Sequence, residues 1–241
     1  AILARALIAT HDLRNEALGD AMKWGLSASG LVAIATLALC GAAQAQPAPA
    51  VAPPADAATR TLARDIFRHV ISLDTSVEGH RVPEMANYLA GLFRNAGFPE
   101  SDIHVVPVGD TASFVVRYRG DGSGGRPIIL MAHMDVVTAH RADWQRDPFT
   151  LVEENGYFFG RGTADNKSGV AALTATFLAL KAAGFTPTRD LTIAFTGDEE
   201  TLGLTATMLV RDHRDLIDAE FALNSDAGGG QLNEQTGAPI G

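Results

Sequence analysis

From Thr59 onward, apolar side chains recur at the two spacings that regular secondary structure uses. Leu62, Ile66, Phe67, Val70 and Ile71 fall at helical intervals and predict a first helix. Met85, Tyr88, Leu89, Leu92 and Phe93 form the apolar face of a second, which Pro83 can open from its first turn and Gly97 ends. Ile103–Val108 and Phe114–Tyr118 read as strands around a Gly109-Asp110 turn. The unbroken apolar run PIILMA (127–132) reads as a buried strand. Tyr157–Phe159 is a short strand, 167–183 a strong helix closed by Gly184, Leu191–Phe195 a strand, Leu202–His213 a helix and Phe221–Asn224 a strand. Strands alternating with helices predict a layered α/β domain.

Before Thr59 the pattern changes character. Met22-Lys23-Trp24 opens an uncharged run from Trp24 to Ala43, most apolar from Leu31 to Cys40, and Ala43-Gln44-Ala45 follows. A basic start, an apolar middle and a small-residue exit are the order of a secretory signal peptide over residues 22–45. The run is short for a membrane span, which needs about 20 predominantly apolar residues. The expectation is cleavage after Ala45 and a mature chain starting at Gln46 in the periplasm or outside the cell, with an uncleaved N-terminal anchor as the alternative. Residues 1–21, which start at Ala1 rather than Met, are expected to be upstream translation without structural meaning. QPAPAVAPPADAA (46–58) reads as an extended Pro/Ala tether, and 59–241 as the folded part.

Composition narrows the function. Of 241 residues, 46% are hydrophobic and 20% charged, which argues against general disorder. Lys and Arg total 19 against 28 Asp and Glu, a net charge of −9, and no basic cluster appears, so nucleic acid is not an expected partner. The acidic excess is either plain solubility charge or carboxylates gathered around metal ions. The single cysteine, Cys40, excludes a disulfide within the chain and a cysteine-based zinc site.

The candidate chemistry sits where strands end. His133 and Asp135 lie two apart just after PIILMA, so period-2 geometry points them the same way. A carboxylate beside a histidine can accept its second ring N–H and fix the imidazole for a metal. Asp165 follows a Gly-rich turn just before the long helix. Asp198-Glu199-Glu200 follows the strand LTIAF-Thr196, and Asp226 follows FALN-Ser225. Taken singly, these are also an ordinary surface pair, a helix cap, a solvated loop and a turn residue. Together they place one histidine and three carboxylate clusters at strand exits, where ligands converge on open α/β sheets. One nitrogen with several oxygens suits zinc, cobalt or manganese. His69, His80, His104, His140 and His213 have no motif around them and are read as packing or surface residues.

AHMDVV, DWQRDPF, GYFFGRGTADNKSG, TGDEETLG and NSDAGG resemble, in order and spacing, the co-catalytic di-zinc exopeptidase and amidohydrolase family. It includes carboxypeptidase S, glutamate carboxypeptidase, aminoacylases, acetylornithine deacetylase and succinyl-diaminopimelate desuccinylase. The resemblance runs from about Thr59 to Gly229 and leans toward the carboxypeptidase S and dipeptidase-type branch. It implies a three-layer catalytic domain with a mostly parallel mixed sheet. It also implies two Zn2+ ions, with Co2+ or Mn2+ as possible substitutes. His133 and Asp226 would hold one ion, Asp165 would bridge both, Glu200 would bind the other, Asp135 would orient His133 and Glu199 would be the general base. An unusual cis peptide would follow the bridging residue, at Asp165–Asn166.

The implied activity is hydrolysis of peptide bonds of the exopeptidase, carboxypeptidase or dipeptidase type. The alternative is deacylation of N-acyl amino acids, and a second alternative is a metal-stabilised module without catalysis. The resemblance further implies that an inserted lid and dimerisation domain, and a histidine ligand C-terminal to it, would follow Asp226. His213 is the last histidine here. A chain ending at Gly241 is therefore expected to hold at most one zinc tightly, to be poorly stable and to turn over little substrate, and a homodimer is expected only through that lid.

Overall fold

In the computed structural model, which describes residues 55–226 and the short strands Gln231–Leu232 and Pro239–Ile240, the first helix starts earlier than its apolar pattern does. Helix α1 is Ala57–Ile71, because the Asp56 side chain accepts the Thr59 N–H at 2.7 Å and caps it. The last residues of the stretch read as a tether are thus helical. The upstream segment 1–21, the signal peptide 22–45 and residues 46–54 of the tether lie outside the described residues.

Helix α2 (Val82–Asn95) carries Pro83 in its first turn, and Gly97 takes the left-handed conformation (φ +79°) just beyond its end. Strands β1 (Ile103–Val108) and β2 (Thr111–Tyr118) form a hairpin, followed by β3 (Ile128–His133). A separate two-stranded ribbon pairs β4 (Val152–Glu154) with β5 (Tyr157–Phe159). Then come α3 (Lys167–Ala182), β6 (Leu191–Thr196), α4 (Leu204–Asp212), the single turn α5 (Arg214–Ile217) and β7 (Phe221–Asn224). The pair β8 (Gln231–Leu232) and β9 (Pro239–Ile240) closes the described chain. The predicted helix 202–213 begins two residues late, because Gly203 (φ +64°) is its N-cap. Neither β4, with one apolar residue, nor the four-residue α5 has a periodicity to predict it from.

The main sheet runs β1-β2-β6-β3-β7. The β1–β2 and β2–β6 pairs are antiparallel, and β6, β3 and β7 are mutually parallel. Helices α1, α2 and α3 cover one face, where Phe93, Phe114, Phe177 and Phe195 are fully buried with Ile66, Leu89 and Val170. On the other face a thinner layer joins Val106, Val115, Ile129 and Ala194 to Leu209 of α4. The three-layer α/β class is therefore as expected. Among the described residues, no helix is long and apolar enough to cross a membrane.

Candidate metal centre

Strand register brings the candidate residues to one edge. β3 pairs with β6 so that His133 faces Thr196, and with β7 so that Met131 faces Asn224. Parallel strands keep step, so the residues leaving β6 and β7, Glu199 and Glu200 on one side and Asp226 on the other, emerge beside the His133 ring. Ser225 anchors the β7 exit, donating its N–H to the Met131 carbonyl at 3.0 Å and its hydroxyl to the same oxygen at 2.9 Å. That exit lies against α3 at Gly169, where an added Cβ would come within 2.2 Å of Ser225 Oγ. Any side chain there would push the two apart.

His133 is 2% exposed. Its Nε2 lies 2.7 Å from Asp165 Oδ1 and 3.8 Å from Asp226 Oδ2. Its Nδ1 lies 3.0 Å from the Asp135 main-chain carbonyl and 3.3 Å from Asp135 Oδ1. Residue 135 thus holds the ring by a hydrogen bond to its backbone carbonyl, with its carboxylate as an ion-pair neighbour. The other carboxylate oxygen, Oδ2, accepts the Glu200 N–H at 2.9 Å, so Asp135 ties the β3 exit to the β6 exit. Asp165 arrives from the loop before α3, and the Asp165–Asn166 peptide is cis.

The three consecutive acids after β6 do not act alike. Asp198 is buried and turns back to cap α4. Its carboxylate accepts the N–H groups of Leu204 at 2.7 Å and Thr205 at 2.9 Å, and also the Thr205 hydroxyl. Its neighbours are left outside the cap, Glu199 exposed and Glu200 half-buried. This role of Asp198 is not readable from three adjacent acids, although a Thr seven residues on, inside a helix start, is the kind of partner such a cap takes.

Lys167 is the other residue the sequence reading passed over. It is fully buried, and its ammonium donates to the Leu73 carbonyl at 2.6 Å. Burial pulls it down from 10.5 to about 7, against the opposing pull of Asp74 and Asp135. A lysine in a helix's first turn sits at the wrong end of the dipole, and that was the signal available.

The electrostatics of the centre are dominated by its carboxylates. Burial disfavours a proton on His133, yet hydrogen bonds and charges from Asp135 and then Asp165 outweigh it and raise the imidazole to about 9. Burial, and then the charge of Asp165, also raise Glu200. Among the described residues, Asp165, Glu199, Glu200 and Asp226 make no ion pair with Lys or Arg. Two triads share the ring, His133-Asp165-Asp226 and His133-Glu199-Glu200, each with ligand atoms within 4.8 Å of one another. Among the described residues, buried Asp135 Oδ1 has no hydrogen-bond partner beyond its 3.3 Å contact with His133 Nδ1. One imidazole nitrogen and four carboxylates at this spacing fit a divalent metal.

Residues 129–241 match the family described as Peptidase family M20/M25/M40. The chain is 37% identical over 91 residues to the N-fatty-acyl-amino acid synthase/hydrolase PM20D1 of Mus musculus, covering 38% of this chain and 18% of that protein. It is 35% identical over 124 residues to the succinyl-diaminopimelate desuccinylase of Methylocella silvestris, covering 50% and 31%. The chain therefore spans less than a third of these curated relatives' own length. The fold is similar to part of the di-peptidase Dug1p of Saccharomyces cerevisiae, with a TM-score of 0.62 at 19% identity over 73% of this chain and 40% of that one.

Proposed function

We propose that this chain, which carries part of a peptidase family M20/M25/M40 domain, is the ion-binding and proton-handling part of a metal-dependent hydrolase of amide bonds. One observation carries the reading. A buried histidine and four carboxylates converge from three strand exits and the loop before α3, and among the described residues no Lys or Arg forms an ion pair with those carboxylates. We assign His133, Asp165 and Asp226 to one divalent ion, and Asp165 and Glu200 to a second. Zinc is the proposed metal, with cobalt or manganese as substitutes. Bound there, such ions supply Lewis acidity, drawing electron density from water and from the substrate carbonyl.

Asp135 keeps the His133 ring and the Glu200 backbone in place. Glu200 is the deeper of the two glutamates and its N–H is fixed, which suits a ligand. Glu199, exposed and unpaired among the described residues, is free to take a proton from the attacking water and to deliver it to the leaving nitrogen.

The bond is a peptide bond of the exopeptidase type in the first reading. The names of the two curated relatives favour a second, cleavage of an N-acyl amino acid. Glu199→Gln in the full-length protein tests the catalytic assignment. The expected result is turnover of dipeptides or N-acyl amino acids reduced about 10²- to 10⁴-fold with metal content unchanged. Turnover surviving at normal metal content would remove Glu199 as the base. No turnover in either form would leave a metal-stabilised module. We also propose export directed by residues 22–45, in which case exported protein begins at Gln46. Intact mass showing residues 1–21 on that protein would contradict this.

A further inference from the structure

Asp198 is a buried acid with no part in the proposed ion binding or proton transfer. Its main chain and its side chain close the same loop. The Asp198 carbonyl accepts the N–H groups of Gly203 at 2.9 Å and Thr201 at 3.3 Å. The carboxylate reaches one step further, Oδ2 to the Leu204 N–H and Oδ1 to the Thr205 N–H and hydroxyl. Residues 199–202 are therefore pinched at their base by one residue, and Glu199 and Glu200 are the first two of them.

The strand side of that pinch is fixed as well. Thr205 is fully buried, and the hydroxyl that donates to Asp198 also accepts the Gly197 N–H at 3.1 Å. The Gly197 carbonyl in turn accepts the Thr111 hydroxyl at 2.6 Å. A Cβ at residue 197 would lie 2.3 Å from the Ala112 carbonyl oxygen, so β6 leaves this close to β2 only with glycine there. Downstream, Asp135 Oδ2 holds the Glu200 N–H at 2.9 Å. The exposed Glu199 side chain thus hangs from a backbone anchored on both sides. A carboxylate suits this task because its two oxygens serve two successive N–H groups, whereas an amide has one acceptor oxygen and a methyl group none.

We infer that Asp198, acting with Thr205, is a positioning residue for the proposed hydrolysis. It sets the aim of Glu199 and Glu200 through the backbone and touches neither ion nor substrate. The inference rests on the hydrolase reading, and its test separates the two.

In the full-length protein, Asp198→Ala should lower kcat for dipeptides or N-acyl amino acids about tenfold to a hundredfold, with KM changed less than about threefold. Metal-free protein titrated with Co2+ should bind the ion held by Glu200 about tenfold more weakly in this variant, with the ion held by His133 nearly unaffected. Asp198→Asn, which keeps one acceptor oxygen, should restore part of both. Thr205→Val should repeat the losses and Thr205→Ser, which keeps the hydroxyl, should not, so this pair carries the test if Asp198→Ala does not fold. Asp56→Ala removes the same kind of cap at the opposite end of α1 from Leu73, and should lower the unfolding midpoint with kcat and Co2+ affinity unchanged. If Asp198→Ala and Thr205→Val behave like Asp56→Ala, Asp198 is only a cap and the inference is overturned. If the unsubstituted protein turns over neither substrate class, the hydrolase reading fails instead, and the Co2+ titration still decides whether Asp198 positions Glu200. An unsubstituted protein that binds no Co2+ overturns both.

Discussion

The face of the sheet under α1, α2 and α3 and the edge where β3, β6 and β7 end are built on opposite terms. Under the helices the packing is mainly apolar side chain on apolar side chain. Phe114 packs against Phe93 and Phe195, with ring centroids 5.6 and 6.1 Å away, and all three are fully buried. At the edge, like charges are crowded around one imidazole. Of the four buried side-chain polar atoms without a partner among the described residues, three belong to Asp135, Arg161 and Asn166, in or beside the segments that carry the site. Lys167 is buried there with a single carbonyl as its named acceptor. The first region supplies stability, and the second crowds carboxylates around one imidazole in the way the proposed cation site requires.

This contrast predicts opposite responses to substitution. Phe114→Ala should cost about 3–5 kcal/mol in chemical denaturation, since it opens a cavity among rings that cannot collapse into it. A cost under about 1 kcal/mol would mean the aromatic layer is not the stabilising half. Glu200→Gln should do the reverse in metal-free protein at neutral pH. Folding raises the acid's proton affinity, so its charged form is penalised in the folded state above its ordinary pKa, and a neutral amide escapes the penalty. Because the group is partly exposed, the gain is small, about 0.5 kcal/mol or less. A clear loss of stability would show that Glu200 already makes a favourable contact without metal.

The same contrast explains what could be read in the sequence. Apolar periodicity placed α1, α2, α3 and the five sheet strands within a few residues, because burying one face is what those segments do. It placed α4 as well, but two residues early, because the start of that helix is set by Gly203 and by Asp198 rather than by apolar spacing. His133, Asp165, Glu200 and Asp226 were legible as residues at strand exits or beside a helix start, and their grouping follows from the β3–β6 and β3–β7 registers. Which of three adjacent acids turns inward was not legible, since Asp198 is distinguished only by N–H groups of Leu204 and Thr205 that lie far from it until the turn forms. Nor was the hold of the Asp135 main chain on the His133 ring, which no side-chain pattern encodes.

Thermal unfolding of the chain with and without zinc bears most directly on the claim that this edge is a cation site. Saturating zinc at about a hundred times its dissociation constant should stabilise the fold by about 2.7 kcal/mol. Asp165→Asn, which alters a carboxylate 60% exposed and outside the core, should remove most of that gain, measured against its own metal-free midpoint because the variant also loses the charge 2.7 Å from His133. An unfolding curve that zinc does not move, or a zinc-induced shift that Asp165→Asn leaves intact, would contradict the account.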